Sequence, residues 1–193
     1  MRKLVIAVDC DDVLVATLPY FVAEYNRQFG TTVDLRNAHE RGAHWGADDQ
    51  TVLERFTSFL ELDSYKALSP SDEERAALIE LAKHHELHVI TARRPEERSF
   101  TQYMLDRDFP GVFSSLELVG FTGSKGEVCR RLNATVVIDD NERHLNDAVK
   151  HGVPEEGALL FGEYPWNTPA ARGRVRCKDW PSVVREVTRL ATV

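Results

Sequence analysis

Leu4-Val5-Ile6-Ala7-Val8-Asp9-Cys10-Asp11-Asp12-Val13-Leu14 is the stretch that decides the fold. Its first half is a continuous apolar run, the pattern of a strand buried on both faces of a parallel sheet. The run stops in three carboxylates within four residues. An unpaired buried carboxylate costs several kcal/mol, so a strand that ends this way needs a cation beside it. Parallel α/β sheets bind their ligands at the carboxyl edge of the strands. A divalent metal at this strand end is therefore expected, with other strands delivering residues to the same edge.

Further strand-like runs follow the first (3–9) at residues 87–91, 116–121, 135–139 and 158–161. Helical patterns separate them, which is the alternation of βαβ units around a parallel sheet. Ser71-x-x-Glu74 is a capping box that opens a helix reaching about residue 84. Pro95 suits the first turn of a helix over 95–107. Residues 124–131, 142–150 and 181–190 read as three more helices. The interval between the first two strands is anomalous: it spans about eighty residues, where a crossover needs about a dozen or a little more. Within it, residues 20–29 and 51–60 are amphipathic, the second with Val52, Leu53, Phe56, Phe59 and Leu60 on one face. The expected organisation is an α/β core of residues 1–15 and 81–193, with residues 16–80 as a mostly helical insertion. Leaving and returning at the carboxyl edge, that insertion lies over the site as a lid, which excludes water and selects substrate.

A chain of 193 residues accommodates one domain with a small insertion, or two small ones. No apolar run is long enough to span a membrane. Met1-Arg2-Lys3 and the apolar run after it superficially resemble a signal peptide, but the carboxylates at 9 to 12 interrupt the run and no small-residue cleavage site follows. The net charge of −7, from 24 basic and 31 acidic residues, argues against a nucleic-acid polymer as partner. It leaves room for a small phosphorylated metabolite. Cys10, Cys129 and Cys177 have no metal-ligand spacing, and so sparse and odd a set points to a reducing cytoplasm. Cys10 reads as a small apolar filler. His84, His85 and His88 straddle a helix end and a strand start, so they share no face and form no metal site. The glycine-rich stretch 120–126 lacks the Gly-x-x-x-x-Gly-Lys-Ser/Thr spacing of a P-loop.

Four strand ends present polar groups: Asp9 and Asp11, Thr91, the Gly123-Ser124-Lys125 turn, and Asp139-Asp140. Carboxylates, a hydroxyl and an ammonium around one point suit phosphoryl transfer. Here the chain resembles the haloacid dehalogenase-like (HAD) superfamily. Asp9-x-Asp11-x-Val13 is similar to its first motif, Val89-Ile90-Thr91-Ala92 to its second, Lys125 to its third and Ile138-Asp139-Asp140-Asn141 to its fourth, in the proper order. The insertion falls where this superfamily carries its C1 cap. Within it the chain looks most like the 5'(3')-deoxyribonucleotidase group, on Ile6 to Leu14, the Thr122-Gly123-Ser124-Lys125 turn, and Leu159-Leu160-Phe161, Trp166-Asn167 and Asp179-Trp180 near the end.

The resemblance implies an α/β three-layer sandwich with a parallel Rossmann-like sheet in the order 5-4-1-2-3 and a small helical cap. It implies a Mg²⁺-dependent phosphatase acting on a small phosphomonoester, with a nucleoside monophosphate as the leading substrate. Asp9 would be the nucleophile and Asp11 the acid/base, a pairing whose two-residue offset lets one loop place both groups. The metal would take the Asp9 side chain, the Asp11 backbone carbonyl and Asp139, with waters completing an octahedron, and Asp140 would act through water or orient Lys125. Thr91, the Ala92 backbone and Lys125 would hold the phosphoryl group. An acid at position 11, which dehalogenases, phosphonatases and P-type ATPases lack, favours phosphate-ester chemistry. Asp12 stands where many members have glycine and is expected to face solvent. Thr17 takes the place of the group's base-stacking aromatic, which leaves Tyr20, Phe21 and Trp45 as candidates to stack on a base. Arg93 and Arg94 read as a solvated pair at a helix start, and the loop with Trp166 and Asn167 is expected to run near the site. Open alternatives are a non-nucleotide metabolite as substrate, or a phosphate- or nucleotide-binding protein without turnover; association into a homodimer is left open.

Overall fold

The apolar run becomes β1 (Val5–Val8), whose successive side chains go to opposite faces. Ile6 and Val8 are buried on one face and Ala7 on the other. This is a computed structural model that describes residues 2–38, 42–167 and 174–192; the remaining positions of the expected domains lie outside the described residues. The further strands are β2 (Glu86–Thr91), β3 (Phe113–Leu118), β4 (Val136–Asp139), β5 (Ala158–Phe161) and β6 (Val175–Cys177). They form one parallel sheet in the order β3-β2-β1-β4-β5-β6. This is the expected order with a sixth strand added at one edge.

Eight helices accompany the strands among the described residues: α1 (Thr17–Phe29), α2 (Asp49–Phe59), α3 (Asp63–Lys66), α4 (Asp72–Ala82), α5 (Arg98–Asp108), α6 (Lys125–Leu132), α7 (Glu142–Lys150) and α8 (Trp180–Thr192). On one face of the sheet Leu78 and Leu81 of α4, Met104 and Leu105 of α5, and Val183 and Val187 of α8 close over Ile6, Val8, Val89 and Ile138. On the other, Cys129 of α6 and Leu145 and Ala148 of α7 cover Ala7, Ile90 and Val137. The result is the expected three-layer α/β sandwich with a Rossmann-like sheet. Val8 stands opposite Val89 in β2 and Ile138 in β4, so Asp9, Thr91 and Asp139 come off three adjacent strands at one edge.

Between β1 and α4 the aromatic side chains of α1 and α2 build a separate cluster around Tyr25, Trp45, Val52 and Phe59. α1 ends on Gly30 in the left-handed conformation, and Asp48 caps α2 by accepting from the Thr51 amide. The capping box at Ser71 and Glu74 is present and starts α4. Most of α4 lies within the stretch expected as insertion, yet Leu78 packs in the sheet's core and not with the aromatic cluster.

β3 ends at Leu118, three residues before the expected 121. Gly120 takes a φ of +70° and its amide bonds the Arg93 carbonyl, which turns the chain off the sheet. β6 has three residues, too short for a readable period. The three cysteines are buried free thiols. No helix among the described residues is long and apolar enough to cross a membrane.

Candidate active site

β1 and β4 deliver their terminal carboxylates to one ammonium. Lys125, the first residue of α6, is fully buried and bonds Asp9 Oδ1 at 2.8 Å and Asp139 Oδ2 at 2.7 Å. The loop backbone sets the rotamers: the Cys10 amide donates to Asp9 Oδ1 and the Asn141 amide to Asp139 Oδ1. Asp140 follows in the same turn and accepts from Trp166 Nε1 at 2.6 Å. It therefore leans on Trp166 and does not orient Lys125; the carboxylates that do so are Asp9 and Asp139. The loop carrying Trp166 runs beside the site as expected. Asn167 is buried in that loop, bonded to the Phe161 carbonyl.

Three buried carboxylates lie together, and a single ammonium bonds two of them. Burial pushes the Asp9 carboxyl up to about 7 in spite of Lys125, with Asp139 and Asp11 adding to the rise. Burial, Asp139 and Asp9 push Asp140 well up too. Burial alone would lower the Lys125 pKa, but Asp139 and Asp9 override it and raise it.

Asp11 lies apart from this group. Arg93 grips it through Nη2 at 2.6 Å and Nε at 3.1 Å, and Thr17 Oγ1 donates to it at 2.6 Å. Burial acts to raise the Asp11 pKa, but the Arg93 guanidinium prevails and holds it below the usual carboxylate range. Arg93 is thus not the solvated residue expected from its place at a helix start. It is buried, with Nη1 on Thr101 Oγ1. Thr17 serves Asp11, a polar task for which a base-stacking aromatic has no group. Thr91 is fully buried and its oxygen accepts from the Arg93 amide, while its own proton has no acceptor among the described residues. Ala92 follows at the strand end, half-buried.

Asp12, expected at the surface, is buried. Its φ of +60° explains why glycine suits this position. The carboxyl turns inward to accept from the Leu18 amide at 3.1 Å, capping α1, whose own N-cap residue Ala16 has no side chain to do so. Burial and Asp11 push the Asp12 pKa up to about 8.

The two aromatics expected to hold a substrate do not offer free faces. Trp45 is 2% exposed, sits edge-on to Tyr25 and Phe56, and donates its indole N–H to the Ala38 carbonyl. Phe21 stacks on Phe56 at 4.8 Å and on Tyr65 at 5.5 Å. Both belong to the aromatic cluster because burying these rings is what lets so small a helical unit hold together. Tyr20 bonds Ser64 through its hydroxyl. The residue missed from sequence is Tyr65, on α3. Its ring is stacked between Phe21 and Phe100, the last at 4.9 Å. It is 2% exposed, lies in the electrostatic field of Arg93 and Asp11, and its hydroxyl has no hydrogen-bond partner among the described residues.

Asp9, Asp139 and Asp140 each offer an oxygen within 4.8 Å of the others. Asp9 Oδ2 and Asp140 Oδ1 accept no hydrogen bond among the described residues. Oxygen ligands only, with open lone pairs and a deficit of positive charge, fit a hard divalent cation such as Mg²⁺.

A six-stranded parallel sheet of this order, flanked by helices, with a carboxylate at the end of its central strand beside a strand-end hydroxyl, a buried lysine and an acid pair, is the haloacid dehalogenase-like fold. Solved structures agree. A haloacid dehalogenase-like protein of unknown function from Agrobacterium tumefaciens superposes with a TM-score of 0.70 at 13% identity, covering 98% of this chain and 99% of that one. A haloacid dehalogenase-like family hydrolase from Streptococcus pneumoniae gives 0.68 at 13% identity, covering 98% of both chains. A protein described as a predicted phosphatase from Clostridium acetobutylicum gives 0.67 at 15% identity, covering 98% and 100%. No protein-family model matches the sequence. The comparison with curated proteins finds no match either. At these identities the likeness establishes the fold.

Proposed function

We propose that this protein is a Mg²⁺-dependent phosphatase that hydrolyses a small phosphomonoester through a phosphoaspartate on Asp9. The observation that carries the reading is the strand-end cluster: Asp9 bonded to a buried lysine, with one carboxylate oxygen open and a cation too few around it. Asp9 Oδ2 attacks phosphorus and the bond to the leaving oxygen breaks. Asp11 protonates that oxygen, then removes a proton from the water that releases phosphate from Asp9. The resting grip of Arg93 and Thr17 favours ionised Asp11, the form required for the second task; for the first, Asp11 must take up a proton from solvent before the leaving oxygen departs. The free Thr91 proton, the Ala92 amide and the Lys125 ammonium receive the phosphoryl oxygens. Asp9, Asp139, Asp140 and the Asp11 carbonyl would hold Mg²⁺, which would neutralise the phosphoryl charge. In this reading α1, α2 and α3 are the cap, which ends before Ser71.

A nucleoside monophosphate is the first substrate class to test, on the sequence resemblance to nucleotidases. One observation favours a second class, a non-nucleotide metabolite: the rings of Phe21 and Trp45 are engaged by other aromatic rings of the cluster. Phosphate release from nucleoside monophosphates, sugar phosphates and an aryl phosphate, with Mg²⁺, with EDTA and with Asp9→Asn, tests both. Turnover that requires Mg²⁺ and vanishes in the variant is expected, and the best substrate separates the classes. Folded protein that binds Mg²⁺ yet hydrolyses no ester overturns the reading.

A further inference from the structure

Lys125 is held in place from outside its own helix. As the first residue of α6 it has no preceding helical turn to brace it, and the amides at a helix start lack intrahelical acceptors. Asp147, in the middle of α7, supplies the brace. Its Oδ2 accepts from the Ser124 hydroxyl at 2.8 Å and from the Gly126 amide at 2.8 Å, the residues on either side of Lys125. Its Oδ1 lies 3.2 Å from His151 Nδ1 on the same helix, a nitrogen that also bonds the Asp147 backbone carbonyl at 2.8 Å.

The two helices approach so closely there that only glycine fits at 126: a Cβ would come within 2.4 Å of the Asp147 carbonyl and of His151 Nδ1. The other end of α7 begins at the turn holding Asp139 and Asp140, whose Asn141 caps the helix. β4 therefore ends in the carboxylate that Lys125 bonds, and the helix that follows it carries the carboxylate that pins the turn on which Lys125 rides. Burial acts against the Asp147 charge, but the Gly126 amide and Ser124 hydroxyl outweigh it and keep the carboxyl ionised.

We propose that Asp147 is a positioning residue: by clamping Ser124 and Gly126 it sets the Lys125 ammonium against Asp9 and Asp139. The inference rests on the phosphatase reading for its catalytic consequence and on geometry alone for its structural one. A misplacement of a catalytic group by about 1 Å can lower a rate about a hundredfold.

Asp147→Ala is expected to lower kcat by about tenfold to a hundredfold while KM stays within about twofold. Asp147→Asn retains an acceptor oxygen and is expected to recover most of the rate, and Ser124→Ala to lose less than Asp147→Ala. The independent readout is the ¹H–¹⁵N correlation of the Lys125 ammonium, protected from exchange by burial between two carboxylates and assigned by its loss in Lys125→Arg. It is expected to shift or disappear in Asp147→Ala and to persist in Asp147→Asn. Should Asp147→Ala fail to fold, the other two variants report the same quantities, and a wild-type resonance in Ser124→Ala then counts against the clamp. A folded Asp147→Ala protein with the wild-type resonance overturns the proposal. If the wild type turns over no ester, the phosphatase reading fails and the resonance alone decides this one.

Discussion

Replacing the proposed nucleophile should make the metal-free protein more stable. In the native cluster Asp9 titrates near 7, against 3.8 for an ordinary Asp, because burial and the neighbouring carboxylates outweigh Lys125. A group whose folded pKa is raised in this way binds its proton more tightly in the native state. Its contribution is neutral below about pH 4, and it weighs increasingly against folding as pH climbs through about 7. Above both values the difference amounts to about 4 kcal/mol at most. Asp9→Asn removes the charge and keeps an oxygen for the Cys10 amide and Lys125, so a gain of about 1–3 kcal/mol at pH 7.5 in EDTA is the realistic share. For a chain of 193 residues that is several degrees in Tm. Urea unfolding of both proteins in EDTA at pH 5 and 7.5 measures it, since groups other than the cluster cancel in the difference. The gain should shrink at pH 5. Saturating Mg²⁺ should close the gap from the other side, because a ligand at about a hundred times its Kd stabilises the wild type by about 2.7 kcal/mol. An Asp9→Asn protein no more stable than wild type at pH 7.5 without metal would refute the claim that the cluster is short of a cation.

Trp45→Ala should destabilise by about 3–5 kcal/mol, since the ring is buried in the aromatic cluster; a loss below about 1 kcal/mol in denaturant melts would put Trp45 back among the candidate ligand contacts. The contribution of His85 to stability should fall as pH drops below about 6.5, because burial lowers the His85 pKa and its Nδ1 accepts from the Leu4 amide, a bond only the neutral ring can make. Unfolding in the two proteins should diverge between pH 7 and 5 for His85→Gln, and identical profiles would count against it. Tyr65→Phe leaves the stack intact and removes one hydroxyl, so kcat/KM should drop about 2- to 13-fold, a hydrogen bond's worth, for the preferred substrate and not for a plain aryl phosphate. Equal kinetics on both would remove Tyr65 from the substrate's surroundings.

What the sequence revealed and what it hid divide along contact distance. The strand ending in Asp9 was legible because burial and charge collide within a few residues, and the order of Thr91, Lys125 and Asp139 followed from strand ends alone. Arg93 was not legible. An arginine at a helix start looks solvated until the fold brings it to Asp11, 82 residues away. Asp147 reads as one more acid on the outer face of an amphipathic helix, and its two partners lie 21 and 23 residues before it. Trp45 misled for the opposite reason: a tryptophan in a segment without clear period looks available, whereas Tyr25 and Phe56 come from helices on either side of it in sequence. Asp12 was read from its neighbours' charges, and its left-handed backbone, which turns the carboxyl toward α1, leaves no mark on the sequence apart from the glycine it replaces.

The contrast between Asp9 and Asp11 shows how one loop yields two carboxyls of different character. They are two residues apart on one loop, and the loop itself does not distinguish them. The difference is made by what reaches in from other strands. Lys125 is divided between Asp9 and Asp139, and Asp140 adds a further negative charge, so Asp9 is left with a fraction of one ammonium. Arg93 gives two of its three nitrogens to Asp11 and shares them with no other acid among the described residues. Burial pushes one carboxyl up to about 7 in spite of Lys125 from α6, and Arg93, just after β2, holds the other below its usual range. Pairs of acids whose environments separate their pKa values are the recurring signature of divided acid–base labour. Exchanging the cations' reach, not the acids, is therefore the change that would exchange the roles. Arg93→Met, which leaves Asp11 in place with Thr17 as its remaining partner, should abolish the difference between the two carboxyls while leaving the Asp9–Lys125 bond intact.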